Sequence, residues 1–109
     1  MTYRLVIVWP AEVDVDGIYA YLLERSPQGA AAWYQAFLAC TRRITGQPLA
    51  CSIAAENAEF DFEIRQALFK TRHGVLYRCV FTVVDDEVRI LRVRGRGQAP
   101  LSGADVPEH

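Results

Sequence analysis

The chain has 109 residues, of which 51% are apolar and 23% charged, and a formal net charge of −1. This length indicates one domain whose core needs no disulfides or metals, and the near-neutral charge disfavours a protein that coats nucleic acid non-specifically. No apolar stretch approaches the roughly 20 residues of a membrane span, and the first residues lack a signal-peptide pattern, so we expect a cytoplasmic protein.

The predicted elements begin with a strand and a pair of helices. Residues 3–9 are rich in β-formers and stop at Pro10, a residue suited to the first turn of a helix. The helix that follows has an apolar stripe at helical spacing, formed by Ala11, Val15, Ile18 and Leu22. The segment "RSPQG" breaks it, and a second helix is predicted over residues 30–45, before Gly46 and Pro48. Helices joined by so short a loop form an antiparallel hairpin.

Three strands are predicted after the helices, in "FDFEIRQALFK", "VLYRCVFTVV" and "EVRILRVRG". Residues 49–59 have no clear period and are predicted to form a loop. The expected fold class is therefore α+β, with an N-terminal strand, a two-helix hairpin, a three-stranded antiparallel meander, and the helices on one face of the sheet. Residues 1–98 would form this domain, and the polar residues 99–109, which include two prolines, would form a flexible tail.

The last two predicted strands are joined by an acidic turn and carry most of the arginines. A three-residue turn at 85–87 would pair Val84 with Val88 and place Arg78 directly opposite Arg94. The face toward the helices would then hold Tyr77, Cys79, Phe81, Val83, Leu91 and Val93, and the opposite face Arg78, Val80, Thr82, Ile90, Arg92 and Arg94. A two-residue turn is at least as common and would shift every pairing by one residue, but Arg92 and Arg94 share a face in either register.

This arginine-rich face has two interpretations. Like charges directly opposite each other are destabilising by up to about 1 kcal/mol, so the cluster either has an acidic partner or serves to bind a polyanion. Arginine suits both uses, because its planar guanidinium binds carboxylate and phosphate through two parallel hydrogen bonds. The other interpretation is a solubilising sheet face, paired with Asp61, Glu63 and the acidic turn.

The order of the elements and four sequence segments resemble the RelE/ParE superfamily of toxins from type II toxin–antitoxin systems. The segments are "YRLVIVWPAEVDVDGIYAYL", "AAAWYQAFLACTRRITGQP", "FEIRQALF" and "VLYRCVFTVVDDEVRILRVRG", and together they span about residues 3–98. The resemblance implies a compact sheet with a helical hairpin. It also implies a small antitoxin that wraps the toxin in a hetero-oligomer and neutralises its basic surface.

The resemblance also indicates candidate site residues. Arg65, Arg78 and Arg94 match the arginines of the family's central strand, its "YR" strand and its "VRHG" close. The surface expected to bind the target or the antitoxin is formed by Arg65, Arg78, Arg92, Arg94 and Arg96.

RNA cleavage by such a site would need a base for the 2′-hydroxyl proton and an acid for the leaving oxygen. The histidine common in the family is Gly95 here, so only His73 or Tyr77 could supply a proton donor. The catalytic candidates are accordingly Arg65, Arg78, Arg94 and His73, although an isolated loop histidine is more often a plain surface residue.

Two targets divide the superfamily, since RelE-like members cleave mRNA in the ribosomal A site and ParE-like members poison DNA gyrase and are not known as nucleases. The tail lacks a catalytic aromatic residue and the net charge is low, which favours the ParE-like mode. The alternatives are a RelE-like ribosome-dependent endoribonuclease and a non-toxic antitoxin-binding module.

No metal-ligand spacing or cofactor motif is present, so neither a metal nor a cofactor is expected. The three cysteines, Cys40, Cys51 and Cys79, have no CxxC spacing and are predicted to be reduced.

Overall fold

The computed structural model describes residues 2–106, so the last three residues of the predicted tail lie outside the described part. The elements are β1 (Arg4–Ile7), α1 (Trp9–Arg25), α2 (Pro27–Gly46), β2 (Ser52–Ile53), β3 (Arg65–Phe69), β4 (Tyr77–Val84) and β5 (Glu87–Gly95). The sheet order is β1-β5-β4-β3-β2, with β1 parallel to β5 and the other neighbours antiparallel. The predicted α+β class is confirmed. The additional strand is β2, a two-residue edge strand inside the predicted loop.

A single residue, Ser26, separates the two helices, so the observed break is shorter than the predicted one, "RSPQG". Ser26 has an extended backbone, and its hydroxyl accepts the Gly29 N–H at 3.0 Å, which caps the start of α2. Pro27 then occupies the first turn, where its missing N–H is not needed. The second helix therefore begins three residues earlier than its apolar pattern indicates.

The main hydrophobic core lies between the helices and one face of the sheet. Its centre is aromatic, with the Trp33 and Phe37 rings stacked at 5.9 Å and both contacting Phe69 of β3. Ala11 and Val15 of α1 and the buried thiols of Cys40 and Cys79 complete it. Since the apolar stripes of both helices face this core, the hairpin covers the sheet as predicted.

The hairpin of β4 and β5 has a two-residue turn, so the predicted three-residue turn is wrong. Val84 pairs with Glu87, and Asp85 takes a φ of 56°, a left-handed conformation that Asp adopts more readily than most residues. A β-bulge then occurs at Leu91, which lies between the register pairs and has no partner of its own on β4.

Because of the bulge, Ile90 and Leu91 lie on the faces opposite to those predicted, whereas the predicted pairing of Arg78 with Arg94 is retained. Ile90 packs in the helix-side core and Leu91 on the opposite face, the reverse of the prediction, because the extra residue interrupts the alternation. Beyond the bulge the register returns to the predicted one, and Arg78 lies directly opposite Arg94.

The second face of the sheet is also covered. Ile64, Val80 and Leu91 form a smaller buried cluster there, and segment 54–62 packs over it with Ala54, Phe60 and Phe62. Residues 100–106, which we name the strap, cross the same face with Leu101 and Val106 buried. The part of the expected flexible tail from residue 101 to residue 106 thus lies against the sheet, where Leu101 and Val106 are its apolar anchors. None of the helices in residues 2–106 is long and apolar enough to span a bilayer.

Candidate arginine site

Three of the candidate arginines meet in a pocket at the end of the sheet where β4 begins and β5 ends. Arg78 and Arg94 are register partners, and Arg96 follows just past the last strand residue. Together they line a cavity of about 530 Å³, which we call the arginine pocket, and its other walls come from Leu68, Leu76, Tyr77 and residues 95–98. Adjacent strands therefore place three cations around one concave surface, two of them on a rigid hydrogen-bonded ladder.

Arg78 is neutralised by a buried carboxylate from the segment that covers the second face. Both of its terminal nitrogens donate to Glu56, one at 2.9 Å, and one also donates to Gln66 at 2.9 Å. The Glu56 side chain is only 6% exposed and also accepts the backbone N–H of Leu101 at 2.9 Å. These donors, with Arg78 first, lower the pKa of Glu56 from its ordinary 4.5 to about 2.

Arg94 depends on the strap for its counterion. Its Nη2 lies 3.2 Å from Oδ1 of Asp105, and its side chain is 13% exposed. The Nε of Arg94 is buried and has no hydrogen-bond partner in the described part of the chain. The two arginines that face each other across the hairpin thus have separate carboxylates, which removes the repulsion expected from their pairing.

Arg92 lies on the same face but outside the pocket, where it connects β5 to the first helix. Its Nε and Nη2 donate to the two carboxylate oxygens of Asp14 at 2.7 and 2.8 Å, and Asp14 also accepts the backbone N–H of Val93 at 2.9 Å. The hydrogen bond to Asp14 raises the pKa of Arg92. This two-pronged pair fastens α1 to the strand directly after the bulge.

Arg65 is separate from the arginine pocket and fastens β3 to the preceding loop. Its Nε donates to Glu63 at 2.9 Å, and its Nη1 donates to the carbonyl oxygens of Cys51 at 2.6 Å and Leu49 at 3.3 Å. The guanidinium is therefore committed to the loop that leads into the edge strand β2. This arrangement favours the structural interpretation of Arg65 over a role at a target surface.

Arg96 and His73 remain exposed, but they lie in different places. The guanidinium of Arg96 forms no ion pair with residues 2–106, so it is the pocket's free cation within that range. His73 lies in the loop between β3 and β4 and lines another depression, formed largely by apolar residues such as Tyr21 and Trp33. The structure therefore brings Arg78, Arg94 and Arg96 together and leaves His73 and Arg65 apart from them.

Of the two interpretations of the arginine face, the structure shows acidic partners within the chain, but they are different acids from the predicted ones. The acids that neutralise it are Glu56, Asp14 and Asp105, while Asp61 and the acidic turn do not contact Arg78, Arg92 or Arg94. One signal for Asp14 was present in the sequence, since it lies three residues after Ala11 and four before Ile18, at the border of the apolar stripe of α1. Glu56 and Asp105 lie in irregular segments, where no sequence periodicity indicates which way a side chain points.

Residues 5–100 match the family model described as "ParE toxin of type II toxin-antitoxin system, parDE". The match covers both helices, strands β2 to β5, all but the first residue of β1, and the arginine pocket. No curated protein matches the chain.

Proposed function

Because the chain belongs to the ParE toxin family of type II toxin–antitoxin systems, we propose that it arrests growth as a ParE-like inhibitor of DNA gyrase that a cognate antitoxin neutralises. The arginine pocket is the surface proposed to contact the target, and the antitoxin is proposed to engage the same arginine face with an acidic segment. In this mode the toxin binds and blocks, and it performs no chemistry on nucleic acid.

The observation that carries this proposal is the chemical composition of the arginine pocket. RNA cleavage needs a group that takes the 2′-hydroxyl proton, and within residues 2–106 neither a carboxylate nor an imidazole lines the pocket. The nearest carboxylate on Arg78 is Glu56, whose pKa of about 2 makes it a weak base. Burial raises the pKa of Tyr77, so its phenol stays protonated near pH 7 and does not act as a base either. The pocket offers cations for binding but, within residues 2–106, no base for the 2′-hydroxyl proton.

The cleanest variant for testing this proposal is Arg96→Ala. Arg96 lines the pocket without an ion pair in the described part of the chain, so its removal should leave the melting temperature unchanged while it weakens gyrase inhibition. Arg42→Ala is the matched control, since Arg42 is an exposed arginine on α2 whose side chain forms no ion pair within residues 2–106.

The experiment expresses the chain with and without a cognate antitoxin, which is sought as a short neighbouring reading frame, and assays purified protein on gyrase. Growth arrest with an SOS response, and trapped gyrase–DNA cleavage complexes that decrease in Arg96→Ala but not in Arg42→Ala, would support the proposal. Loss of translation with cleaved mRNA would replace it with the RelE-like endoribonuclease. Absence of arrest with a folded chain would indicate the non-toxic antitoxin-binding module.

A further inference from the structure

The strap is held on the sheet by a small number of contacts at the end of an exposed connection. Residues 96–100 are all exposed, and Gly97 has a φ of 89°, a left-handed conformation that suits glycine. Leu101 is then buried and its N–H donates to Glu56 at 2.9 Å. After this anchor comes the short turn Gly103–Asp105, in which Gly103 and Ala104 are exposed and Asp105 is half-buried, and Val106 returns to the buried cluster.

Asp105 occupies this turn with a geometry set by its neighbours in sequence. Its Oδ2 accepts the N–H of Ser102 at 2.9 Å and the Ser102 hydroxyl at 3.2 Å. Its other oxygen, Oδ1, points to the arginines, 3.2 Å from Arg94 and 3.7 Å from Arg92, while its backbone carbonyl accepts from Arg92 at 3.0 Å. One carboxylate therefore holds the turn closed and neutralises the arginine face at the same time.

The dependence on Asp105 differs among the three arginines of this face. Arg78 has Glu56 and Arg92 has Asp14, and both of these acids lie outside the strap. Arg94 has Asp105 as its one ion-pair partner within residues 2–106. The side chain of Asp105 is 33% exposed, so an incoming carboxylate can reach the Arg94–Asp105 pair from solvent. The position of the strap turn thus decides whether Arg94 is neutralised.

We propose that the strap is an internal competitor for Arg94, and that an acidic segment of a partner protein replaces Asp105 there with its own carboxylate and lifts the turn Gly103–Asp105 off the sheet. The partner's identity as the antitoxin rests on the function proposed above, but the competition itself does not. Charge complementarity argues for an acidic peptide, because the atoms that Asp105 satisfies are guanidinium N–H groups next to the further cation Arg96. Leu101 and Val106 remain buried on either side, so only the turn between them has to move, and it gives up the hydrogen bond from Arg92 to the Asp105 carbonyl.

The test measures binding of a fluorescein-labelled oligoglutamate peptide by fluorescence anisotropy. Asp105→Asn keeps an oxygen for the Ser102 hydrogen bonds and removes the competing charge, so it should bind the peptide about two- to fivefold more tightly than the wild type, the range of an exposed ion pair. Asp16→Asn is the matched control, because it removes the same charge from an exposed position on α1 that forms no ion pair in the described residues. Asp105→Glu should restore affinity toward the wild-type value.

Two further measurements locate the effect. In an Arg94→Ala background, Asp105→Asn should gain no more affinity than Asp16→Asn does, since the competed group is gone. In the wild type, the amide resonances of Ser102 and Asp105 should shift as the peptide is titrated. Equal affinities of Asp105→Asn and Asp16→Asn, absence of peptide binding, or binding that leaves these resonances in place would each overturn the proposal. None of these measurements depends on gyrase or growth arrest, so the competition at Arg94 can be confirmed even if the chain is not a toxin.

Discussion

Replacing Glu56 by Gln is expected to lower the free energy of unfolding by about 3 kcal/mol at pH 7. The change keeps the size of the side chain but leaves the guanidinium of Arg78, itself only 20% exposed, without its counterion. A pKa lowered from 4.5 to about 2 corresponds to about 3 kcal/mol, at about 1.4 kcal/mol for each factor of ten. Breaking one side of a buried ion pair costs about 3–5 kcal/mol in general, which agrees with that figure.

The same carboxylate predicts how stability depends on pH. The pKa of Glu56 is lower in the folded than in the unfolded state, so its contribution is complete above about pH 5 and is lost as the pH falls from about 4.5 toward 2. Glu56→Gln removes this titration, so the difference between wild type and variant should shrink steadily over that range.

Urea unfolding followed by tryptophan fluorescence measures both effects, since Trp33 is buried and Trp9 is largely exposed. Glu59→Gln is the control, a change of the same kind three residues away at an exposed acid that forms no ion pair in the described part of the chain. A variant Glu56→Gln as stable as Glu59→Gln at pH 7, or one whose stability falls in acid as steeply as that of the wild type, would refute this account of the buried pair.

Three further predictions concern other contacts. Asp14→Asn should cost about 2–4 kcal/mol because it leaves Arg92 without its two-pronged partner, and an unchanged thermal melting curve would contradict this. Cys79→Ser should cost about 1–3 kcal/mol through a buried hydroxyl, whereas Cys51→Ser, at a half-buried position, should be tolerated in the same urea titration. Arg65→Ala should lower the melting temperature and growth arrest together, since the Arg65 guanidinium holds the loop before β2. Full toxicity with an unchanged melting temperature would show that Arg65 contributes neither to stability nor to toxicity.

The parts of the fold that the sequence predicted correctly are those set by periodicity. The apolar stripes of the helices and the alternation of β4 placed the helix-side core, and the pairing of Arg78 with Arg94 was also correct. That pairing was reached through two errors that cancel, because the real turn is one residue shorter than predicted and the bulge at Leu91 adds one residue back. A bulge leaves no mark in the hydrophobic pattern when both residues at the bulge are apolar, as Ile90 and Leu91 are.

The partners of the arginines could not be predicted for a different reason. Which acid neutralises a given guanidinium depends on the path of irregular segments, and the path of residues 54–62 and of the strap is decided by a few buried side chains such as Leu101. These contacts join residues far apart in sequence, with Glu56 meeting Arg78 and Leu101 at separations of 22 and 45 residues. The secondary-structure propensity of a short segment contains no information about such long-range contacts.

The parallel pairing of β1 with β5 has a consequence for how the chain is made. Arg4 lies beside Glu87, so the first strand has no neighbour in the sheet until residues 87–90 have left the ribosome. The helical hairpin can form earlier, but its helices can then pack only against each other and not against the sheet. Long loops of this kind close slowly, because their entropy is lost before the contacts that reward it are made. A nascent chain of this topology therefore completes its arginine pocket only after residues 94–98 have emerged, long after its helical hairpin, and until then Arg78 and Arg94 lack the concave surface they share.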